Sequence, residues 1–161
     1  MPTTSRIELR FTAEITPWLK KVRQRLHEAD KFLLTHTDGE NKALFPLYRD
    51  CDFDVAESVC PAPMTQSSLA EIRREIGPNT TVFGGIPSVA LLDDAMAEAA
   101  FEAHLDELFA SLGNGDHLIL GVADNVPPDA NMSRLETIKQ RIEAFGPVEP
   151  SGPVEPSGPA G

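Results

Sequence analysis

The chain has 161 residues, 41% of them hydrophobic, with 25 acidic residues against 14 basic ones and a formal net charge of −11. That is room for one domain with a real core, while the acidity excludes a nucleic-acid binder, which needs a basic face. No run approaches the ~20 apolar residues of a membrane helix, residues 1–10 lack the apolar centre of a signal peptide, and Cys51 and Cys60 make no CxxC, so they read as ordinary thiols of a cytoplasmic protein.

Residues 1–12 are polar and mixed, without a clear period, and residues 1–15 read as a lead-in. Thr16-Pro17 then starts a helix, with Thr16 as its cap and Pro17 in the first turn; Leu19, Val22, Leu26 and Ala29 form its apolar stripe. The run 32–36 is short, apolar and bounded, as a buried strand is. A short helix follows over 41–49, disturbed or delayed by Pro46, and 53–59 reads as a second strand that Pro61 and Pro63 end. Ser68 and Glu71 match a capping box that opens a helix with Leu69, Ile72 and Ile76 on one side and Gly77-Pro78 as its stop. Residues 80–84 are a third strand, followed by Gly84-Gly85-Ile86-Pro87, where two glycines allow either a simple turn or close approach of the backbone to a ligand. The longest helix is expected over 94–112, closed by Gly113; then come a fourth strand at 117–121, an exit loop at 124–128, and a last helix over 132–145 with Leu135, Ile138, Ile142 and Phe145 inward. Residues 146–161 repeat Gly-Pro-Val-Glu-Pro-Ser and read as a flexible extended tail.

Four strands, each followed by a helix, imply an α/β fold with a parallel sheet and right-handed crossovers, and four such units are half of an eight-fold β/α barrel. In these folds ligands bind where strands end. The first strand runs into His36-Thr37-Asp38-Gly39-Glu40-Asn41. Gly39 permits a tight turn, and His36 and Asp38 alternate in an extended chain, so both point to one side. An ordinary turn, with Asp38 capping the next helix and His36 packing, fits the same residues. Glu57, leaving the second strand, is a candidate proton acceptor. His27 and His104 read as helix-surface residues, and His117 as the start of the fourth strand.

Taken together, Pro17-Trp18-Leu19, His36-Thr37-Asp38-Gly39, then Asp54, Glu57 and Pro61, then Gly84-Gly85-Ile86, then Leu120-Gly121-Val122-Ala123-Asp124-Asn125-Val126-Pro127-Pro128 resemble the C-terminal half of the uroporphyrinogen decarboxylase and cobamide methyltransferase superfamily. The resemblance covers roughly residues 11–145 and implies the last four βα units of a barrel about twice this length. A half-barrel domain over 16–145 and a tail over 146–161 follow. Zinc-dependent members of the family hold their metal with a His, a Cys two residues on, and a Cys in the final exit loop. The matching positions here are His36, Asp38 and Asp124, so the resemblance implies zinc or another divalent metal on one imidazole and two carboxylates, a harder donor set. In the decarboxylases the last position carries a substrate-contacting His instead. The implied functions are a lyase of porphyrin biosynthesis or methyl transfer involving a corrinoid. Glu57 and Asp124 would be catalytic, and His36, Gly84, Gly85 and Asn125 would contact a small, tetrapyrrole or corrinoid substrate. A truncated or degenerate half, acting as a subunit without catalysis, is the alternative. Two open parallel edges imply pairing with a complementary half or self-association. Four strands in an open half would also splay the first and fourth apart at the rim by several ångströms.

Overall fold

The computed structural model describes residues 9–148. It is an α/β fold with one four-stranded sheet and flanking helices. In chain order, α1 is Thr16–His27, β1 Leu34–His36, α2 Phe45–Cys51, β2 Val55–Val59, α3 Leu69–Ile76, β3 Thr81–Ile86, α4 Glu98–Ala110, β4 Leu118–Val122 and α5 Met132–Phe145. The strands lie in the order β1-β2-β3-β4, and every neighbouring pair is parallel. All four strand ends, and the loops that follow them, therefore share one rim. Among the described residues no helix is long and apolar enough to cross a membrane.

One face of the sheet meets the helices. Ala56, Val82 and Ile86 are buried there with Leu69, Ile72 and Ile76 of α3 and with Phe101, Leu105 and Leu108 of α4. The capping box at Ser68 is formed, with the Glu71 amide donating to Ser68 Oγ and the Ser68 amide donating to Glu71. Gly77, at φ +97, ends α3 as expected. Among the described residues no further strand pairs with either edge, and Leu34 of β1 is 50% exposed and Ile119 of β4 is 47% exposed.

Several expectations need correction. Thr16 does not cap α1. Helical backbone already runs from Leu9 through a wide π turn at Phe11–Ile15, so Thr16 is a helix residue, buried, with its hydroxyl 3.4 Å from Cys51 Sγ. Ala29 lies beyond the end of α1 and is exposed. Gly84 and Gly85 do not turn the chain: β3 continues through both because β4 pairs with it at Gly84↔Leu120, Gly85↔Gly121 and Ile86↔Val122. Finally, α4 begins at Glu98 rather than 94, leaving α5, at 14 residues, longer than α4 at 13.

The segment before α4 is held by Arg134 of α5. Its side chain is 2% exposed and donates to the carbonyl oxygens of Ala90, Leu92 and Met96 and to the Glu98 carboxylate. A second ion pair, to Asp93, lies at 3.2 Å, and the guanidinium stacks 4.8 Å from the centre of the Phe101 ring. These contacts tie the chain between β3 and α4 to α5, and the Leu92 carbonyl accepts from the Met96 amide as well. On α5 itself Ile138 is buried, Leu135 is half-buried, and Ile142 and Phe145 are 40% and 37% exposed, so only part of the expected inward face is covered. The tail expected over 146–161 lies, from 149 onward, outside the described residues.

Candidate functional site

β1 and β2 pair in register so that His36 stands opposite Glu57. Their side chains meet: His36 Nδ1 is 2.7 Å from Glu57 Oε2. A carboxylate only accepts, so the proton is on Nδ1 and the ring orientation is fixed. The other ring nitrogen, Nε2, lies 3.8 Å from Asp124 Oδ1, beyond hydrogen-bond length. Asp124 follows β4, the far edge of the sheet. Three inter-strand steps separate β1 from β4, about 14 Å in a flat sheet. The contact therefore needs the sheet to curl and the β4 exit loop to fold inward, and the expected splay of several ångströms is absent. Asp124 makes that fold in a left-handed backbone conformation, φ +67, which aspartate tolerates better than most residues. Its second oxygen accepts from Asn125 Nδ2 at 3.0 Å.

Electrostatically the cluster is an imidazole among carboxylates. The hydrogen bond to Glu57 raises the proton affinity of His36, desolvation opposes it, and the charges of Glu57, Asp124 and Asp38 add to the rise. Asp38 thus acts on the site through its charge. It does not cap the following helix; Glu40 instead accepts from the Lys42 amide and, across to the β2 exit loop, from the Gln66 amide. Cys60 reads in the sequence as an ordinary thiol, yet it belongs to this rim. Burial first, then the charges of Asp38 and Asp124, push its thiol up to about 11, so it stays protonated at neutral pH. Its position three residues past Glu57, the β2 partner of His36, and just before Pro61 gave no motif by which to find it.

Gly84 and Gly85 sit in β3, and protein atoms take the space beside them. A Cβ on Gly84 would lie 2.6 Å from the Val59 carbonyl oxygen, and one on Gly85 would lie 3.0 Å from Leu69 and 3.1 Å from Leu120. Their lack of side chains serves strand and helix packing. Ser58, between Glu57 and the buried Val59, marks a break in the β2–β3 register; it has φ +62, and its buried hydroxyl has no partner among the described atoms.

The donor set expected for a metal does not fit a resident ion as arranged. Among the described residues no three His, Cys, Asp or Glu side chains form a group that could hold an ion. Of the other histidines, His27 is bound 2.9 Å from Asp54 at the opposite end of the strands. His104 is half-buried rather than on the surface, and burial lowers its proton affinity. His117 lies just before β4 at φ +50. No family model, curated protein or solved structure matches this chain.

Proposed function

We propose that the chain supplies four consecutive βα units of a barrel enzyme of the uroporphyrinogen decarboxylase and cobamide methyltransferase kind, with its chemistry at the rim where the strands end. The observation that carries the reading is the approach of His36 to Asp124 from the two opposite edges of the sheet. A sheet that curls until its edge residues meet across it has the curvature of a barrel wall, and the polar groups gather on the side where such barrels bind substrate. Four parallel strands in chain order, and two edges with which no further strand pairs among the described residues, support it further.

In this reading His36 is the substrate-facing group. Glu57 fixes the ring through Nδ1, and half of the imidazole faces solvent with Nε2 beside Asp124. A raised proton affinity suits the ring to donate a hydrogen bond, or a proton, to a substrate heteroatom, with Asp124 holding the substrate's other polar group. No step is routed through a metal, because the donors do not fit one. The remaining strands would come from a complementary half.

The test is reconstitution. The chain is mixed with the first four βα units of a barrel of this kind, and tetrapyrrole decarboxylation and methyl transfer to a corrinoid or thiol are both measured. Turnover that falls at least about a hundredfold in both His36→Ala and Asp124→Ala would support the reading. A closed complex with neither activity would replace it with that of a noncatalytic subunit. Failure of the halves to associate would remove the barrel reading.

A further inference from the structure

We propose that Asn41, aimed by Tyr48, is a positioning residue for the rim: it fixes the Thr37–Gly39 loop and, through Thr37, the alignment in which His36 meets Glu57. The inference rests on the reading of that rim as the site, but its geometry stands apart from any activity.

The Asn41 side-chain amide donates to three successive carbonyl oxygens, those of Thr37 at 2.8 Å, Asp38 at 3.2 Å and Gly39 at 3.1 Å. One NH2 group has two protons, so three acceptors around it mean the loop is wrapped about the nitrogen. Gly39, at φ +78, supplies the turn that brings the third carbonyl round. The amide oxygen is held in turn: Tyr48 Oη donates to Asn41 Oδ1 at 2.8 Å. Tyr48 and Asn41 are each 8% exposed. The Tyr48 ring is set among Phe11, Phe45 and Phe53, whose ring centres lie 5.9, 6.5 and 5.6 Å away. A rigid ring with one polar tip makes a fixed pointer, and burial pushes its hydroxyl up to about 12, so it remains a donor.

Thr37 carries the effect from this clamp to the site. Its backbone N–H and its hydroxyl both donate to the Glu57 carbonyl oxygen, at 2.8 and 2.7 Å, while its own carbonyl accepts from Asn41. Glu57 is thereby held by its backbone to Thr37 and by its carboxylate to the neighbouring His36. Tyr48, Asn41, Thr37, Glu57 and His36 form one connected set from the aromatic core to the rim. Networks of this kind fix orientation more than any single bond does.

The experiment uses the labelled full chain and reads exchange with water of the His36 Nδ1 proton and the Thr37 amide by NMR. In Asn41→Ala both should exchange about tenfold faster, the size set by losing one buried hydrogen bond. Tyr48→Phe should shift both in the same direction by less. Thr80→Ala is the matched control: it removes another buried hydroxyl bond, Thr80 Oγ1 to the Phe53 carbonyl at 3.0 Å, at the opposite end of the sheet. It should lower stability and leave His36 unchanged. Unchanged His36 exchange in Asn41→Ala, or an equal change in Thr80→Ala, would overturn the proposal. If Asn41→Ala does not fold, Tyr48→Phe against Thr80→Ala decides on the same signals. Neither result touches the activity measurement above, so the two readings fail separately.

Discussion

Arg134 and His36 are both basic side chains beside two carboxylates, and their surroundings make them opposites. Arg134 is almost wholly enclosed. Backbone carbonyls take its protons, and Asp93 and Glu98 lie at the solvent side of the pocket. His36 is half exposed and meets only side chains, Glu57 at 2.7 Å and Asp124 at 3.8 Å. A guanidinium cannot lose its charge at any ordinary pH; an imidazole can. The fold therefore uses the permanent charge where geometry must not change, to pin the chain between β3 and α4. The changeable charge stands at the rim, where solvent can reach it.

Breaking Arg134 should produce the largest effect. Arg134→Met keeps bulk but strands the carbonyls of Ala90 and Met96, and we expect a loss of about 3–5 kcal/mol in chemical denaturation. An equivalent substitution at His36 should leave the denaturation midpoint nearly unchanged. Gly84→Ala comes next, as a backbone test of the sheet between the two centres. Its Cβ would meet the Val59 carbonyl at 2.6 Å, from a backbone at φ +139, and the strain should cost about 2–3 kcal/mol in the same assay.

Asp54 sharpens the comparison because it is intermediate in burial. Its side chain is 12% exposed and accepts from the Leu33 amide, His27 and Arg23. Burial alone would raise its pKa, but the Leu33, His27 and Arg23 contacts outweigh burial and hold it below the ordinary carboxylate value. The unfolded chain therefore binds this proton more readily than the folded one. The stabilisation is complete above the ordinary carboxylate range and is lost as pH falls through the lowered native value. Asp54→Asn should cost about 1–2 kcal/mol at neutral pH and flatten the acid limb of a stability–pH profile; an unchanged acid limb would remove Asp54 from this role.

The smallest effect on stability, and the clearest on chemistry, belongs to Glu57→Gln. Losing the charged partner of Nδ1 should lower the His36 pKa toward the ordinary imidazole value, read as an NMR titration of the ring. Asp124→Asn should lower it less, because that carboxylate acts only through its charge. Equal shifts in the two variants would mean that the hydrogen bond to Glu57 does not dominate.

Much of the architecture was legible in sequence because its signals are local. The capping box at Ser68, the stop at Gly77, the apolar positions 69, 72 and 76, and the start of α5 at Met132 each depend on residues within a turn or two. The alternation of strands and helices implied the parallel order that the sheet adopts. At the rim, His36, Glu57 and Asp124 could each be placed at a strand exit from their position in the pattern alone.

Tertiary structure decided the rest, since it depends on groups far apart in the chain. Residues 94–97 read as helix yet precede α4, in a segment that Arg134, some forty residues away, holds through the carbonyls of Ala90, Leu92 and Met96. Two glycines that read as a turn become strand because β4 lies alongside and Val59 leaves no room for a side chain. Cys60 joins the rim, and Asn41 becomes the centre of a loop, only once β1 and β2 are paired and Tyr48 is packed among phenylalanines. The meeting of His36 with Asp124 needs the curl of the whole sheet. Sequence determines which groups stand at the ends of elements, because capping and periodicity are short-range; which of those groups touch is set by packing and sheet curvature, which act between distant segments.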